Sequence, residues 1–139
     1  MSVTPFIMFN DQAEEAVELY TTVFRNSKRL GPMAFELEGQ EFFAMNGGPT
    51  FSFADGISLM VSCDSQEDLD YYWGRLTAEG EEGRCGWLKD KFGISWQIVP
   101  AGLGELLGDP DPARAARARQ AMMDMSKLDL AALQAAASG

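Results

Sequence analysis

The feature that most constrains this chain is a faint copy of itself, displaced by 53 positions. Asp11 and Glu14 recur as Asp64 and Glu67. The same shift carries Ala16 to Leu69, Tyr20 to Trp73, Val23 to Leu76, Phe43 to Trp96 and Met45 to Ile98. Identity is low, but character is kept: an acidic start, an apolar helical face, then an aromatic inside a strand. A fixed period of self-similarity limits the architecture before any single residue does. A period near fifty suits propeller blades, yet only two copies fit in 139 residues, and two blades cannot close a ring. The pattern implies two equivalent half-domains packed as a pseudo-symmetric pair. The alternative is chance similarity between two aligned amphipathic helices.

Within the first copy, Thr4 to Phe9 reads as a short apolar strand. Asp11 then opens a helix, with Glu14 as its capping-box partner and Ala13, Ala16, Val17, Tyr20, Val23 and Phe24 at helical spacing. Strand-like pieces follow around 29–37 and 41–46, joined at Glu38-Gly39-Gln40, and Asn46-Gly47-Gly48-Pro49 is a second turn. In the second copy Ile57, Leu59, Val61 and Cys63 alternate with Ser58, Met60 and Ser62, a half-polar strand. Asp64 and Glu67 bracket the next helix start, with an apolar face of Leu69, Tyr72, Trp73 and Leu76. Strands at 84–89 and 94–99 turn through Asp90-Lys91-Phe92-Gly93.

The expected fold is therefore α+β: two tandem β-α-β-β-β modules, about 3–50 and 55–100, in a single domain spanning 1–139. Helices would cover one side of a curved sheet, leaving the other side to enclose a cavity. Residues 100–108 read as a loop. A helical tail at 109–137 starts at Asp111-Pro112, where proline is tolerated, and restarts at Ser126 with Asp129. The tail either packs on its own sheet or covers a sheet edge or a partner subunit.

Charge narrows the partners. The net charge is −10 and the chain has no histidine, so neither a nucleic-acid groove nor an anionic membrane surface is an expected partner. No apolar run approaches a membrane span, and the first 20 residues lack the basic-then-apolar pattern of a signal peptide. Cys63 and Cys85 make no disulfide framework, so the expected location is cytoplasmic with both thiols reduced.

Several stretches carry a resemblance. Paired modules with Asp-opened helices resemble the vicinal oxygen chelate superfamily of glyoxalase I, bleomycin-resistance proteins and extradiol dioxygenases. Asp90-Lys91-Phe92-Gly93-Ile94-Ser95-Trp96-Gln97 is similar to that superfamily's Asp-Pro-x-Gly-x-x-x-Glu turn and last strand, with Lys91 replacing proline and Gln97 replacing glutamate. Gly83-Arg84-Cys85-Gly86-Trp87-Leu88-Lys89-Asp90 and Ser95 to Pro100 resemble the PhnB-like branch, often named 3-demethylubiquinone-9 3-methyltransferase. So do Asp11 to Phe24, Gly39 to Gly48, Tyr71-Tyr72-Trp73 and Asp109 to Met123.

The resemblance implies four inward-facing strand positions that hold a metal in other members. Here they fall on Pro5, Ala44, Ser58 and Gln97, related in pairs by the same shift of 53. Proline and alanine offer no donor, a protonated hydroxyl is a poor one, and glutamine offers only a neutral carbonyl. No metal and no other cofactor is expected. What remains is a cavity: if Gln97 points inward, period two places Ser95 and Val99 beside it, facing Ser58, Met60 and Ser62. Trp87, Phe9 and Phe42 would add aromatic walls, unless these aromatics and Met60 simply fill the core. Such a lining suits a small neutral, partly aromatic molecule held by a homodimer.

Cys63 reads as core. Cys85 beside Arg84 reads as a structural thiol, because no histidine exists to serve as its base. The family name implies methyl transfer. Yet the one notable Gly-rich turn, at Asn46-Gly47-Gly48-Pro49, leads toward Phe51-Ser52-Phe53 and not into a helix. Three readings stay open: a small-molecule binder, a metal-independent enzyme on a quinone-like substrate, and an interaction protein with a closed pocket.

Overall fold

Alternating apolar residues followed at once by a helical apolar face build a strand-helix crossover, and the chain does this twice. The computed structural model describes all residues 1–139. They form two compact units, Met1–Phe53 and Ala54–Gly139. In the first unit β1 (Phe6–Phe9) leads to α1 (Ala13–Val23), then β2 (Ser27–Arg29), β3 (Ala34–Leu37) and β4 (Gln40–Asn46). The sheet order is β1-β4-β3-β2, with β1 parallel to β4 because α1 carries the chain across between them.

Helix α1 buries Ala13, Ala16, Val17, Tyr20 and Val23. Tyr20 stacks on Phe35 at 6.1 Å, and Phe35 stacks on Phe42 at 5.2 Å, which marks the α1 side of this sheet. The expected Asp11–Glu14 capping box does not form. Gln12 occupies the cap without a side-chain bond, and Asn46 Oδ1 at the end of β4 accepts the Ala13 N–H at 2.8 Å instead. At the other end, Ser27 Oγ donates to the carbonyls of Thr21 and Phe24 at 2.9 and 2.6 Å, occupying acceptors the helix leaves open. The strand expected over 29–37 is a hairpin broken at Gly31-Pro32, since proline has no N–H for a ladder. Glu38 and Gly39, at φ 49° and 86°, make the tight turn that joins β3 to β4.

The second unit repeats the order with β5 (Leu59–Cys63), α2 (Gln66–Thr77), β6 (Glu81–Glu82), β7 (Trp87–Lys89) and β8 (Ser95–Pro100), in sheet order β5-β8-β7-β6. Ser65, not Asp64, caps α2 by accepting the Asp68 N–H at 3.1 Å. The face of Leu69, Tyr72, Trp73 and Leu76 is buried as the spacing implies. The α+β class and the module order agree with the sequence reading. The strands, however, lie in two four-stranded sheets and not in one continuous curved one.

The strand expected over 84–89 is shortened to β7 for a visible reason. The N–H groups of Cys85 and Gly86 are taken by the carbonyls of Met125 and Ser126, each at 2.8 Å, so the backbone leaves the ladder with Cys85 at φ 58° and Gly86 at φ 85°. A side chain at Gly86 would meet Leu128 at 3.0 Å, so the tail requires glycine here.

The tail consists of α3 (Leu103–Leu107), inside the expected loop, α4 (Pro112–Met123) and α5 (Leu130–Ser138). Asp111 caps α4 with Pro112 following it, and Asp129 caps α5 by accepting the Ala132 N–H; the restart belongs to Asp129, with Ser126 outside it. Arg117 closes α5 by donating to the Ala137 carbonyl at 2.7 Å. Gln66 of α2 donates to Leu128 O at 2.9 Å and accepts from Leu130 N at 3.0 Å, while Lys127 pairs with Asp70 at 3.0 Å. The tail thus packs on its own unit.

Leu128 and Leu133 are fully buried. Replacing Leu128 with alanine should cost about 2–5 kcal/mol in urea unfolding, and truncation after Gly108 should lower the thermal midpoint further. A truncated chain as heat-stable as the intact one would show the tail to be dispensable.

A second expectation concerns Asp90, which is 3% exposed. Its Oδ1 accepts the N–H groups of Phe92 and Ile94 at 2.9 and 3.1 Å, and its Oδ2 accepts the Trp96 indole N–H at 2.9 Å. Asp90→Ala strands these donors and should destabilise the protein by about 3 kcal/mol, because each buried orphan costs roughly 1–3. A loss under about 1 kcal/mol by denaturant titration would contradict that role.

Candidate functional site

Which face each strand residue occupies decides what can form a site. In the second unit, Trp73 of α2 donates its indole N–H to Glu82 at 2.8 Å, and Glu82, Leu88, Trp96 and Leu59 are successive cross-strand partners. These residues mark the α2 side. The opposite, open face carries the row Trp87–Gln97–Met60, then Ser62 beside Val99 and Ser95 beside Lys89. Gln97 Nε2 donates to Ser58 Oγ at 3.0 Å, which brings Ser58 to the same face. All six residues singled out from the sequence, Ser58, Met60, Ser62, Trp87, Ser95 and Gln97, therefore share one face.

Their exposure differs. Met60 is 64% exposed and Ser62 is exposed; Trp87, Gln97 and Ser58 are half-buried, and Ser95 is buried. Met60 is thus not core filler. Phe9 and Phe42 are, at 3% and 6% exposure on the α1 side, and they supply no aromatic wall.

The repeat survives in the ladders but not in the facing. Phe6 pairs with Phe43, and their mates Leu59 and Trp96 pair likewise. Yet Phe6 is 53% exposed, on the side away from α1, while Trp96 is buried on the α2 side. The first crossover leaves three residues between strand and helix and the second leaves two. Helices accordingly keep the 53-residue shift while the faces of the strands slip by one, and a slip of one reverses every side chain. Ala44 pairs with Ile7 on the α1 side, so it is no counterpart of Gln97; Phe43 is. The four positions Pro5, Ala44, Ser58 and Gln97 do not form one equivalent set.

Nor do they fit a metal. Their donors are poor or absent, and no three His, Cys, Asp or Glu side chains converge in a way that would hold one.

A pocket of about 160 Å³ opens at the β6–β7 edge of the same sheet, where Asp55, Glu81 and Glu82 meet Trp87, Lys89 and Ser95. Of the six sequence-derived candidates only Trp87 and Ser95 reach it; Ser58, Met60, Ser62 and Gln97 do not. Lys89 was legible, since period two places it on the face of Trp87. Asp55 carried no signal. The Lys89 ammonium meets Asp55 at 2.6 Å, and that hydrogen bond raises the Lys89 pKa, helped by the charges of Asp55 and Glu81.

The Gly-rich turn has a structural role. Gly47 and Gly48 donate to Phe9 O and Asn10 O at 2.8 and 3.1 Å, and a Cβ on Gly48 would stand 2.6 Å from Asn10 Cα. Asn10 in turn exchanges two hydrogen bonds with the backbone of Phe51 at 3.0 and 2.8 Å. The glycines let two backbones meet.

With this geometry in place, the comparisons with known proteins are specific. Residues 29–99, just over half of the chain, match the 3-demethylubiquinone-9 3-methyltransferase family. A PhnB protein from Bacillus cereus is 32% identical over 73% of this chain and 100% of its own, with a TM-score of 0.65. The chain belongs to that family.

It is a PhnB-like chain, as the stretches around 83–100 suggested. Two further structures share the fold at 15% identity. Protein PA1353 from Pseudomonas aeruginosa covers 72% of this chain and 97% of its own at a TM-score of 0.62. The fosfomycin resistance protein FosX from Listeria monocytogenes covers 76% and 93% at 0.54. No curated protein matches the chain.

Both cysteines are free. Cys85 is half-buried, and its neighbour Arg84 donates to the Met123 carbonyl at 3.4 Å. Cys63 is buried, and its thiol is pushed up to about 11 by burial first and then by the charges of Asp68 and Asp64. In the unfolded chain the thiol ionises near its ordinary value of 9.0. The protonated thiol therefore contributes stability fully present below pH 9, and this is lost as pH rises toward 11. Unfolding stability should fall across that window, and Cys63→Ala should flatten the slope. An unchanged slope in the variant would assign the effect to other groups.

Proposed function

We propose that the protein binds a small neutral, partly aromatic organic molecule on the open face of its second sheet, without a metal. The observation that carries this reading is the row Trp87–Gln97–Met60 with the Gln97–Ser58 hydrogen bond beside it. Gln97 offers an amide, Ser58 and Ser62 offer hydroxyls, and Trp87 and Met60 offer polarisable apolar surface. A few placed polar groups among apolar ones is the usual composition of a small-molecule site.

A closed, purely structural pocket is disfavoured. It needs Trp87, Trp96 and Met60 packed together, whereas Trp96 lies on the other face and Met60 is exposed. Methyl transfer from S-adenosylmethionine is disfavoured too, because the Gly-rich turn serves the ladder between β1 and β4 and opens no helix. The superfamily likeness supports sequestration or sensing, with metal-independent chemistry on a quinone-like substrate as the alternative.

We propose a homodimer as the working assembly. The open face of the first sheet exposes Phe6 at 53% and Met45 at 42%, with Met33 nearby in sequence at 48%, more apolar surface than an isolated sheet needs. Free thiols support a cytoplasmic location, and no helix is long and apolar enough to cross a membrane.

Native mass spectrometry of the freshly purified protein should show a dimer and a retained small molecule. Titration with phenol should shift the Gln97 side-chain amide saturably by NMR, with benzoate much weaker, and Gln97→Leu should reduce phenol affinity about tenfold. A metal at one equivalent, micromolar S-adenosylmethionine binding, or no phenol response would each defeat the reading.

A further inference from the structure

The pocket at the β6–β7 edge is distinct in chemistry from the neutral row beside it. Two carboxylates and one ammonium stand on its side of the sheet, from Asp55, Glu81 and Lys89, a net charge of −1, while the Glu82 carboxylate turns to the α2 side. One of the two carboxylates is partly committed, since Asp55 holds Lys89. Glu81 is exposed and remains available at the rim.

Ser95 supplies an independent observation. It is 4% exposed and lines the pocket, yet its hydroxyl makes no hydrogen bond to another group of the protein and is not sealed away from solvent. A buried hydroxyl without an internal partner incurs a desolvation cost that a ligand or water at that spot would relieve. Trp87 completes the lining with an indole, the aromatic group that attracts cations most strongly.

We infer that this pocket binds a small primary alkylammonium group, with Ser95 accepting one of its N–H bonds, Trp87 contacting the carbons next to the ammonium and Glu81 supplying the counter-charge. A volume of about 160 Å³ admits an ammonium with a few carbons. An anionic ligand would meet the excess of carboxylates. A bare metal ion would find too few converging ligands. The inference shares Trp87 with the neutral-ligand reading and otherwise stands on other residues, because the pocket lies at the β6–β7 edge while Ser58 and Met60 sit on or beside β5 at the far edge.

The test is an NMR titration of the full chain with propylammonium chloride, following the Trp87 indole N–H. Potassium chloride at equal ionic strength and propan-1-ol serve as controls. A saturable shift with propylammonium alone is expected. Ser95→Ala should weaken it about fivefold and Glu81→Gln about threefold. Should Ser95→Ala fold poorly, the exposed Glu81→Gln variant still reads the charge requirement. Equal shifts with propan-1-ol would reduce the pocket to an apolar crevice, and equal shifts with potassium would reduce it to a screening effect. No saturation, or unchanged affinity in Glu81→Gln, would likewise overturn the inference. The Gln97 amide under phenol reports the neutral row, and the loss of propylammonium affinity in Glu81→Gln reports this pocket, so either site can fail alone.

Discussion

The arrangement of the second unit hangs on one carboxylate. Asp90, itself 3% exposed, accepts two backbone N–H groups from the turn that follows it and the indole N–H of Trp96. Together these bonds close the β7–β8 turn and hold the Trp96 side chain to the α2 side. Once that side chain is placed, alternation places its neighbours: Ser95 and Gln97 must face the other way. The row Trp87–Gln97–Met60 is therefore a consequence of the turn chemistry at 90–94, several residues from any group that would touch a ligand. Buried polar groups that are fully satisfied specify one arrangement in this way, where apolar packing alone would tolerate others.

Much of this was legible in the sequence, and the reasons differ by residue. The apolar faces of both helices were readable because a 3.6-residue period is hard to imitate, and Leu69, Trp73 and Leu76 are buried as that period requires. The caps were less readable, because the decisive partner is remote: Asn46 from the end of β4 serves α1, although Asp11 and Glu14 carry the local signature. The shortening of the strand before Lys89 was invisible for the same reason. It depends on carbonyls of Met125 and Ser126, some forty residues away, which take the N–H groups a ladder would use. Local propensity reports local competition only.

The repeat shows the same limit at the site. A shift of 53 describes the helices and even the cross-strand pairing, since Phe6–Phe43 and Leu59–Trp96 are equally spaced. It cannot describe facing, because one extra residue in the first strand-to-helix connection changes the parity of the strands. Ser58, Met60, Ser62, Trp87, Ser95 and Gln97 were found together because alternation within each strand is a short-range rule. Ala44 was misassigned because it was reached through the long-range one. Lys89 was one alternation away from Trp87, whereas Asp55 comes from irregular chain that no periodicity describes.

Slippage between the copies has a further consequence: the two halves present different chemistry on their open faces. In the first unit that face carries Phe6, Met8, Phe43 and Met45 where β1 meets β4, with charged Glu41, Glu36 and Lys28 toward the other edge. In the second it carries Met60, Ser62, Gln97 and Val99, apolar and polar together. Had the strands kept the parity of the helices, Trp96 and Ile98 would occupy the open face, and Gln97 would be sealed under α2. A buried amide there would need partners that the apolar α2 face of Leu69, Tyr72, Trp73 and Leu76 does not offer. The first unit meets no such constraint at the corresponding place, where Phe43 stands in the position of Gln97. The second unit keeps the register that leaves Gln97 on the open face, beside Met60 and hydrogen-bonded to Ser58.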